Sequence, residues 1–170
     1  MTNEKVCELL NQQINKEFFS AYLYLDFANY FTEVGLDGFA NWYKVQAQEE
    51  RDHALLFTQY MQNNSIKVTF AGLEDPTRTY TSNLEILKSG LEHEIFITNS
   101  INVIYDAAYS VKDFRAMQFL DWFVKEQGEE EKNATDLIRK MELFGNDSKG
   151  LYMLDQELAA RMYNPPSLVL

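Results

Sequence analysis

Residues 64–81 read NSIKVTFAGLEDPTRTYT, and the fold turns on how far this stretch can reach. It mixes β-branched residues with Gly72 and Pro76 and shows no helical period, so it reads as an extended linker. At about 3.3 Å per residue it spans up to nearly 60 Å. A helix of about 26 residues is only about 39 Å long. The linker can therefore run the whole length of a helical bundle and leave the helices on either side of it parallel, the long-crossover topology of some four-helix bundles.

Proline elsewhere is confined to Pro165 and Pro166, so nothing interrupts helices before or after the linker. Apolar periodicity predicts helices over about residues 3–31, 37–63, 83–109 and 112–144. Gly35 and Asp37 make a tight turn between the first pair and Ser110–Asp113 one between the last pair, so each pair runs antiparallel. Beyond Gly145 and Gly150 a short fifth helix is expected over residues 151–162, ended by Asn164, Pro165 and Pro166. With no internal repeat and no low-complexity tract, residues 1–170 form one all-α domain: a four-helix bundle with a long crossover and a short C-terminal helix.

Steps of three and four along the first helix give Leu10, Ile14, Glu17, Ala21, Tyr24 and Ala28, an apolar seam with a carboxylate in it. The second gives Phe39, Tyr43, Gln46, Glu50, His53 and Phe57; the third Leu87, Leu91, Glu94, Thr98 and Ile101; the fourth Leu120, Phe123, Gln127, Glu130 and Ala134. Glu17, Glu50, His53, Glu94, Gln127 and Glu130 all fall near mid-helix, hence at one height in a bundle. Four buried acids at one height repel one another unless a cation sits between them, and the seams offer no Lys or Arg. Glu50 and His53 stand three residues apart, on one helical face, the spacing of di-iron and di-manganese carboxylate proteins. Oxygen ligands with one imidazole and no thiolate suit iron, manganese or adventitious zinc, and hard carboxylates favour iron(III) over iron(II), which makes iron the best functional fit.

Composition narrows the partners. Fifteen basic against 26 acidic residues leave a net charge of −11, which repels phosphate backbones and anionic lipid and favours cations, so nucleic acid is not an expected partner. Cys7 is the only cysteine, so no internal disulfide forms and a reducing, cytoplasmic setting is expected. Met1–Leu10 lack the pattern of a signal peptide, and no stretch approaches the ~18 apolar residues of a membrane span.

Other residues read as follows from spacing alone. His93 points about 100° away from Glu94 around its helix and reads as a surface or interface residue. Trp42 and Trp122 read as core. Tyr24, on the seam two turns beyond Glu17, can hydrogen-bond a ligand or give up an electron. Gly128 leaves room close to the site, and Glu49, Glu126 and Glu129 read as a solvated acidic face beside it.

The constellation, the crossover, Ala40-Asn41-Trp42, the run from Gln46 to His53 (QAQEERDH) and the run from Gly150 to Asp155 (GLYMLD) resemble the bacterial-type non-haem ferritins over nearly the whole chain. The resemblance implies a ferroxidase centre with Glu17 and His53 on one iron, Glu94 and Glu130 on the other, Glu50 bridging, and Gln127 orienting water or oxygen nearby. It further implies a third iron site of Glu49, Glu126, Glu129 and Glu130, and a redox role for Tyr24. It implies oxidation of iron(II) by O2 or H2O2 and ferric mineral stored within a 24-mer cage. Bacterioferritins are similar in their first Glu-x-x-His, but a haem-binding Met follows that Glu; Arg51 stands here, and their second Glu-x-x-His is here Gln127-x-x-Glu130, so haem is not expected. Met117 and Leu120 lie where animal ferritins resemble one another in acidic channel residues, which leaves the route of iron open. Two other readings remain at this stage: a di-iron oxygenase or peroxidase, and a cage subunit that binds mineral without oxidising iron.

Overall fold

The computed structural model describes residues 3–170; Met1 and Thr2, the start of the expected domain and of the segment read against a signal peptide, lie outside the described residues. Its helices are α1 (Glu4–Glu33), α2 (Asp37–Asn63), α3 (Asn83–Ser110), α4 (Phe114–Phe144) and α5 (Ser148–Leu158). No strand occurs among the described residues, and no helix among them is long and apolar enough to cross a membrane.

Local chemistry sets the ends. Asn3, Ser82 and Asp113 each accept a hydrogen bond from a first-turn backbone N–H, satisfying orphan donors of α1, α3 and α4. Gly35 takes a positive φ of 78° in the α1–α2 turn, a conformation that costs a glycine nothing. Lys112, with φ of 57°, turns the chain before Asp113, so α4 starts at Phe114 and not at 112. The fifth helix is shifted from its expected span. Asp147 caps it through Gly150 N at 2.7 Å and starts it at Ser148. It stops at Leu158, well before the prolines, and the rest of the chain runs on without helix.

Two apolar clusters fill the bundle. One gathers Leu23–Phe31 positions of α1 with Phe39, Tyr43, Leu87, Leu137 and Leu158. The other gathers Val6, Leu10 and Ile14 of α1 with Phe57, Met61, Ile101, Ile104, Phe119 and Phe123. The early part of α1 thus packs with the late part of α2, so these helices are antiparallel. The late parts of α2 and α3 share a cluster, so they run parallel, as the crossover requires. Along the linker, Ile66 and Val68 pack on the second cluster and Tyr80 on the first. Between them Asn11 and Thr69 exchange two bonds, Asn11 Nδ2 to Thr69 O (2.9 Å) and Thr69 N to Asn11 Oδ1 (2.7 Å), which pin the linker to α1.

Helix α5 finishes the end of α2. Leu36 has no capping side chain, and the buried Asp155 of α5 supplies it from afar, accepting Phe39 N at 3.0 Å. The approach is close enough that a Cβ on Gly38 would meet the Asp155 carbonyl oxygen at 1.7 Å. Gly38→Ala is therefore expected to destabilise the protein by roughly 2 kcal/mol through overpacking, and Asp155→Ala by about 1 kcal/mol through the lost cap. Chemical denaturation measures both, and stability equal to wild type in Gly38→Ala refutes the close docking of α5.

Candidate metal centre

The two apolar clusters leave a polar layer between them. Gln13, Glu17 and Ser20 of α1, Gln46, Glu50 and His53 of α2, Glu94 of α3, and Gln127 and Glu130 of α4 are all buried there. Each sits one helical step from large apolar neighbours, so the amphipathic period that buries the core also buries them.

Glu17, Glu50 and His53 bring one ligand atom each within 4.8 Å of the others. His53 Nδ1 lies 3.1 Å from Glu50 Oε2, and the edge of its ring faces Trp122 and Phe123. Glu17 Oε1 accepts from Gln13 Nε2 at 2.8 Å, while Glu17 Oε2 is buried with no hydrogen-bond partner. An unpaired buried carboxylate oxygen beside a Glu–His pair costs free energy that a cation relieves. Glu94 is held on both oxygens: Tyr24 OH donates to Oε1, and Gln127 Nε2 donates to Oε2 at 3.1 Å. Gln46 Nε2 links the rest, reaching Glu50 Oε1 at 3.0 Å and Glu130 Oε2 at 2.8 Å. Glu94 and Glu130 border a cavity of about 20 Å³ with Tyr24 and Gln46.

Burial, reinforced by the charge of Glu50, pushes the Glu17 and Glu130 carboxyls up to about 8. Burial and then Glu50 and Glu130 raise Glu94 well above the usual carboxylate range. Burial opposes charge on Glu50 as well, but the His53 charge and hydrogen bond and the Gln46 amide hold it below its usual value. For His53 desolvation is likewise overcome: Glu50, Glu17 and Glu130 raise the imidazole to about 10. The metal-free layer therefore holds one ion pair, Glu50 with His53, and three protonated acids. Burial and then Glu94 keep the Tyr24 phenol protonated far above its usual range.

The six mid-helix residues read from spacing, with Tyr24, share this layer. Glu49, Glu126 and Glu129 flank it, with none of them in a three-ligand group. Glu49 and Glu126 are half-buried, and burial raises both carboxyls. Glu129 is exposed and lies 3.6 Å from Lys125. Two spacing readings are corrected. His93 is half-buried and tied to the neighbouring helix: it bonds Ser20 Oγ through Nε2 at 2.7 Å and packs at a steep angle to Tyr24 at 5.9 Å. Gly128 faces open space and leaves no room at the site. Trp42 and Trp122 are half-buried and pack against the first and second apolar clusters.

Some partners escaped the seam count. Gln13 lies one turn before Glu17 and receives a bond from Ser100, which in turn receives one from Lys16 Nζ. Its signal was available, as a polar residue at i−4 from a seam acid. Arg161 was not legible: it arrives from the C-terminal segment and meets Glu49 and Gln46 across more than a hundred residues of chain.

Residues 7–144 match the family model of the Ferritin-like domain. The chain belongs to the ferritin-like family. A probable bacterial non-heme ferritin-like protein of Haemophilus influenzae is 35% identical over 158 residues, covering 93% of this chain and 96% of that protein. The bacterial non-heme ferritin of Campylobacter jejuni is 36% identical over 156 residues, covering 92% and 93%. Among solved structures, an open-pore ferritin of the archaeon Archaeoglobus fulgidus superposes with a TM-score of 0.93 at 41% identity, covering 95% of this chain and 100% of that one. The all-α bundle with a short fifth helix is thus a ferritin-like fold in architecture and in sequence.

In this ferritin-like layer Glu17, Glu130 and His53 hold protons more tightly than they do in the unfolded chain. Their contribution to stability is complete below about pH 4.5 for the carboxyls and about pH 6.5 for His53, and is lost as pH rises, through about 8 for the carboxyls and about 10 for His53. Glu50 acts oppositely, its contribution being lost as pH falls through its depressed value. The melting temperature of metal-free protein is expected to fall by several degrees between pH 6 and 9. Zinc-saturated protein, whose ligands are already deprotonated, should lack that fall, and zinc binding at pH 7 should release roughly three to four protons per chain. Calorimetry in buffers of different ionisation enthalpy reads the protons; fewer than one per chain contradicts the protonated layer.

Proposed function

We propose that this ferritin-like chain stores iron, oxidising iron(II) to iron(III) at a two-metal carboxylate centre and holding the product as mineral. The observation that carries the reading is the buried group of Glu17, Glu50 and His53 within 4.8 Å, with Glu17 Oε2 lacking a hydrogen-bond partner and Glu94 and Glu130 in the same layer. Iron(II) is here a substrate. Glu17 and His53 hold one ion, Glu94 and Glu130 the other, and Glu50 bridges. Displacing protons from Glu17, Glu94, Glu130 and His53 leaves a ligand set of high negative charge, which stabilises iron(III) over iron(II). Each of two ions gives up one electron, and O2 takes both with two protons and leaves as H2O2, or H2O2 takes both with two protons and leaves as two waters. Gln127 and Gln46 steer the carboxylates, and Gln127 is placed to orient water or oxygen. Tyr24, bonded to Glu94, is positioned to supply a further electron.

The bounding space supports oxidation of a small molecule. A cavity of about 20 Å³ beside Glu94 and Glu130 admits a water or a diatomic, whereas organic ligands occupy ~300 Å³ or more. An oxygenase acting on an organic substrate fits it poorly. Glu49, Glu126 and Glu129, with Glu130, are the acids that a third iron site would use in this reading. Its assembly is a 24-mer cage in the cytoplasm without haem, and a groove of about 390 Å³ lined by Phe18, Tyr22, Leu25 and Leu73 supplies apolar surface for a neighbouring subunit to cover.

Rapid mixing of oxygen with protein loaded anaerobically with iron(II), followed with particle mass, tests the reading: fast oxidation of two or three ions per chain, then slow mineral growth in a large particle. Glu50→Ala with His53→Ala should slow the fast phase by at least about a hundredfold while circular dichroism stays helical. An unchanged initial rate in that variant sinks the centre, and a small particle that binds two ions and accumulates no more points to an oxygenase.

A further inference from the structure

Helix α5 and the segment after it are bound across α2. Asn41 Nδ2 reaches the carbonyls of Leu158, Ala159 and Arg161 at 3.3, 3.4 and 3.0 Å. Tyr163 OH donates to Asp52, and Trp122 Nε1 donates to Ser167 Oγ at 2.9 Å. The strap so held delivers one cation. Arg161 lies over the Trp42 ring, its guanidinium carbon 4.1 Å from the centroid, donates through Nη1 to Gln46 Oε1 at 2.9 Å, and pairs through Nη2 with Glu49 Oε2 at 2.6 Å. The two charged side chains are only 15% and 19% exposed.

These contacts make a demand on the metal centre. Glu49 is one of the acids a third ion would use, and its Oε2 is already taken by a planar cation in a position well shielded from water. The bond to Gln46 Oε1 also fixes which end of that amide faces inward: its carbonyl is turned to Arg161, so its NH2 group is the end aimed at Glu50 and Glu130. Resting on the carboxylate centre described above, we propose that Arg161 is a resident cation at the outer edge of the site: it occupies Glu49 in place of a third metal ion and positions Gln46 toward the two inner acids. The C-terminal strap then decides how many ions the centre takes, two while it is seated and three when it withdraws.

Zinc, which has no redox chemistry, counts the ions without turnover. Equilibrium dialysis of the assembled protein should give about two tight zinc ions per chain for wild type. Arg161→Gln, which keeps a polar stem and removes the charge, should give about three, and Arg161→Lys should stay near two because the charge is retained. Arg161→Gln with Glu49→Gln should return to about two, a reversal that mere loss of packing does not produce. Asn41→Ala loosens the strap without touching the acids and should shift the count the same way as Arg161→Gln, which keeps the test open if the arginine variant fails to assemble. Wild type with about two ions and no gain in either Arg161→Gln or Asn41→Ala overturns the inference alone. Wild type with three ions also overturns it, and wild type with no tight zinc overturns the carboxylate centre itself.

Discussion

Taking one carboxylate out of water costs several kcal/mol even after the surroundings relax, and this chain does so at Glu17, Glu50, Glu94 and Glu130 within one layer. The rest of the structure is arranged around that cost. Three of the acids escape it in the metal-free state by keeping their protons, and the fourth by pairing with His53. Amides then take up the remaining valences: Gln13 on Glu17, Gln46 on Glu50 and Glu130, Gln127 on Glu94. An amide suits the purpose because it satisfies a carboxyl oxygen without adding a competing charge. What is left unsatisfied is Glu17 Oε2, on the carboxyl grouped with Glu50 and His53.

A layer of this kind needs its helices in fixed register, since one turn of slip along α1 would set Glu17 against apolar side chains. The two clusters above and below the layer provide that. Phe27, Phe31, Phe39 and Tyr43 stack at one end, and Phe57, Tyr60, Phe119 and Phe123 at the other. Rigid rings packed on both sides leave little freedom for sliding. The linker adds a lengthwise brace, because its two-way bond to Asn11 and its anchors at Ile66 and Tyr80 tie opposite ends of the bundle together.

The long helices and the layer were legible in the sequence for one reason: a periodic apolar seam tells where a side chain points, and Glu17, Glu50, Glu94 and Glu130 point inward by that measure alone. The span of α2, 37–63, agrees to the residue because Asp37 and Gly35 mark its start and the period breaks at Asn64. The fifth helix departs from its expected span because the prolines mark a later stop than the structure uses: Asp147 sets its beginning, and the strap beyond Leu158 is held by contacts with α2. His93 failed for a related reason. An angle around one helix says that it leaves the seam, but not that Ser20 and Phe19 of the neighbouring helix cover it. Arg161 belongs to the same class, since no local pattern connects a residue in a non-helical tail to one on the second helix.

The N-terminal half of α2 therefore depends on residues far along the chain, and this bears on how the centre behaves. Asp155 closes the first turn of α2, Asn41 holds the strap one turn later, and Arg161 reaches Gln46 and Glu49 one turn after that. The same helix continues to Glu50 and His53. Docking of the C-terminal segment and placement of Glu50 thus share one helix, and Gln46 is bonded to both Arg161 and Glu50. Protonated acids in the layer act in the same direction. A site whose ligands carry protons gives them up only to a cation that outcompetes them, so it resists weakly bound ions and admits those that carboxylates hold strongly. In the proposed centre the burial of the layer sets the proton competition that an entering cation meets, and the strap beside it sets which outer acids are free to receive one.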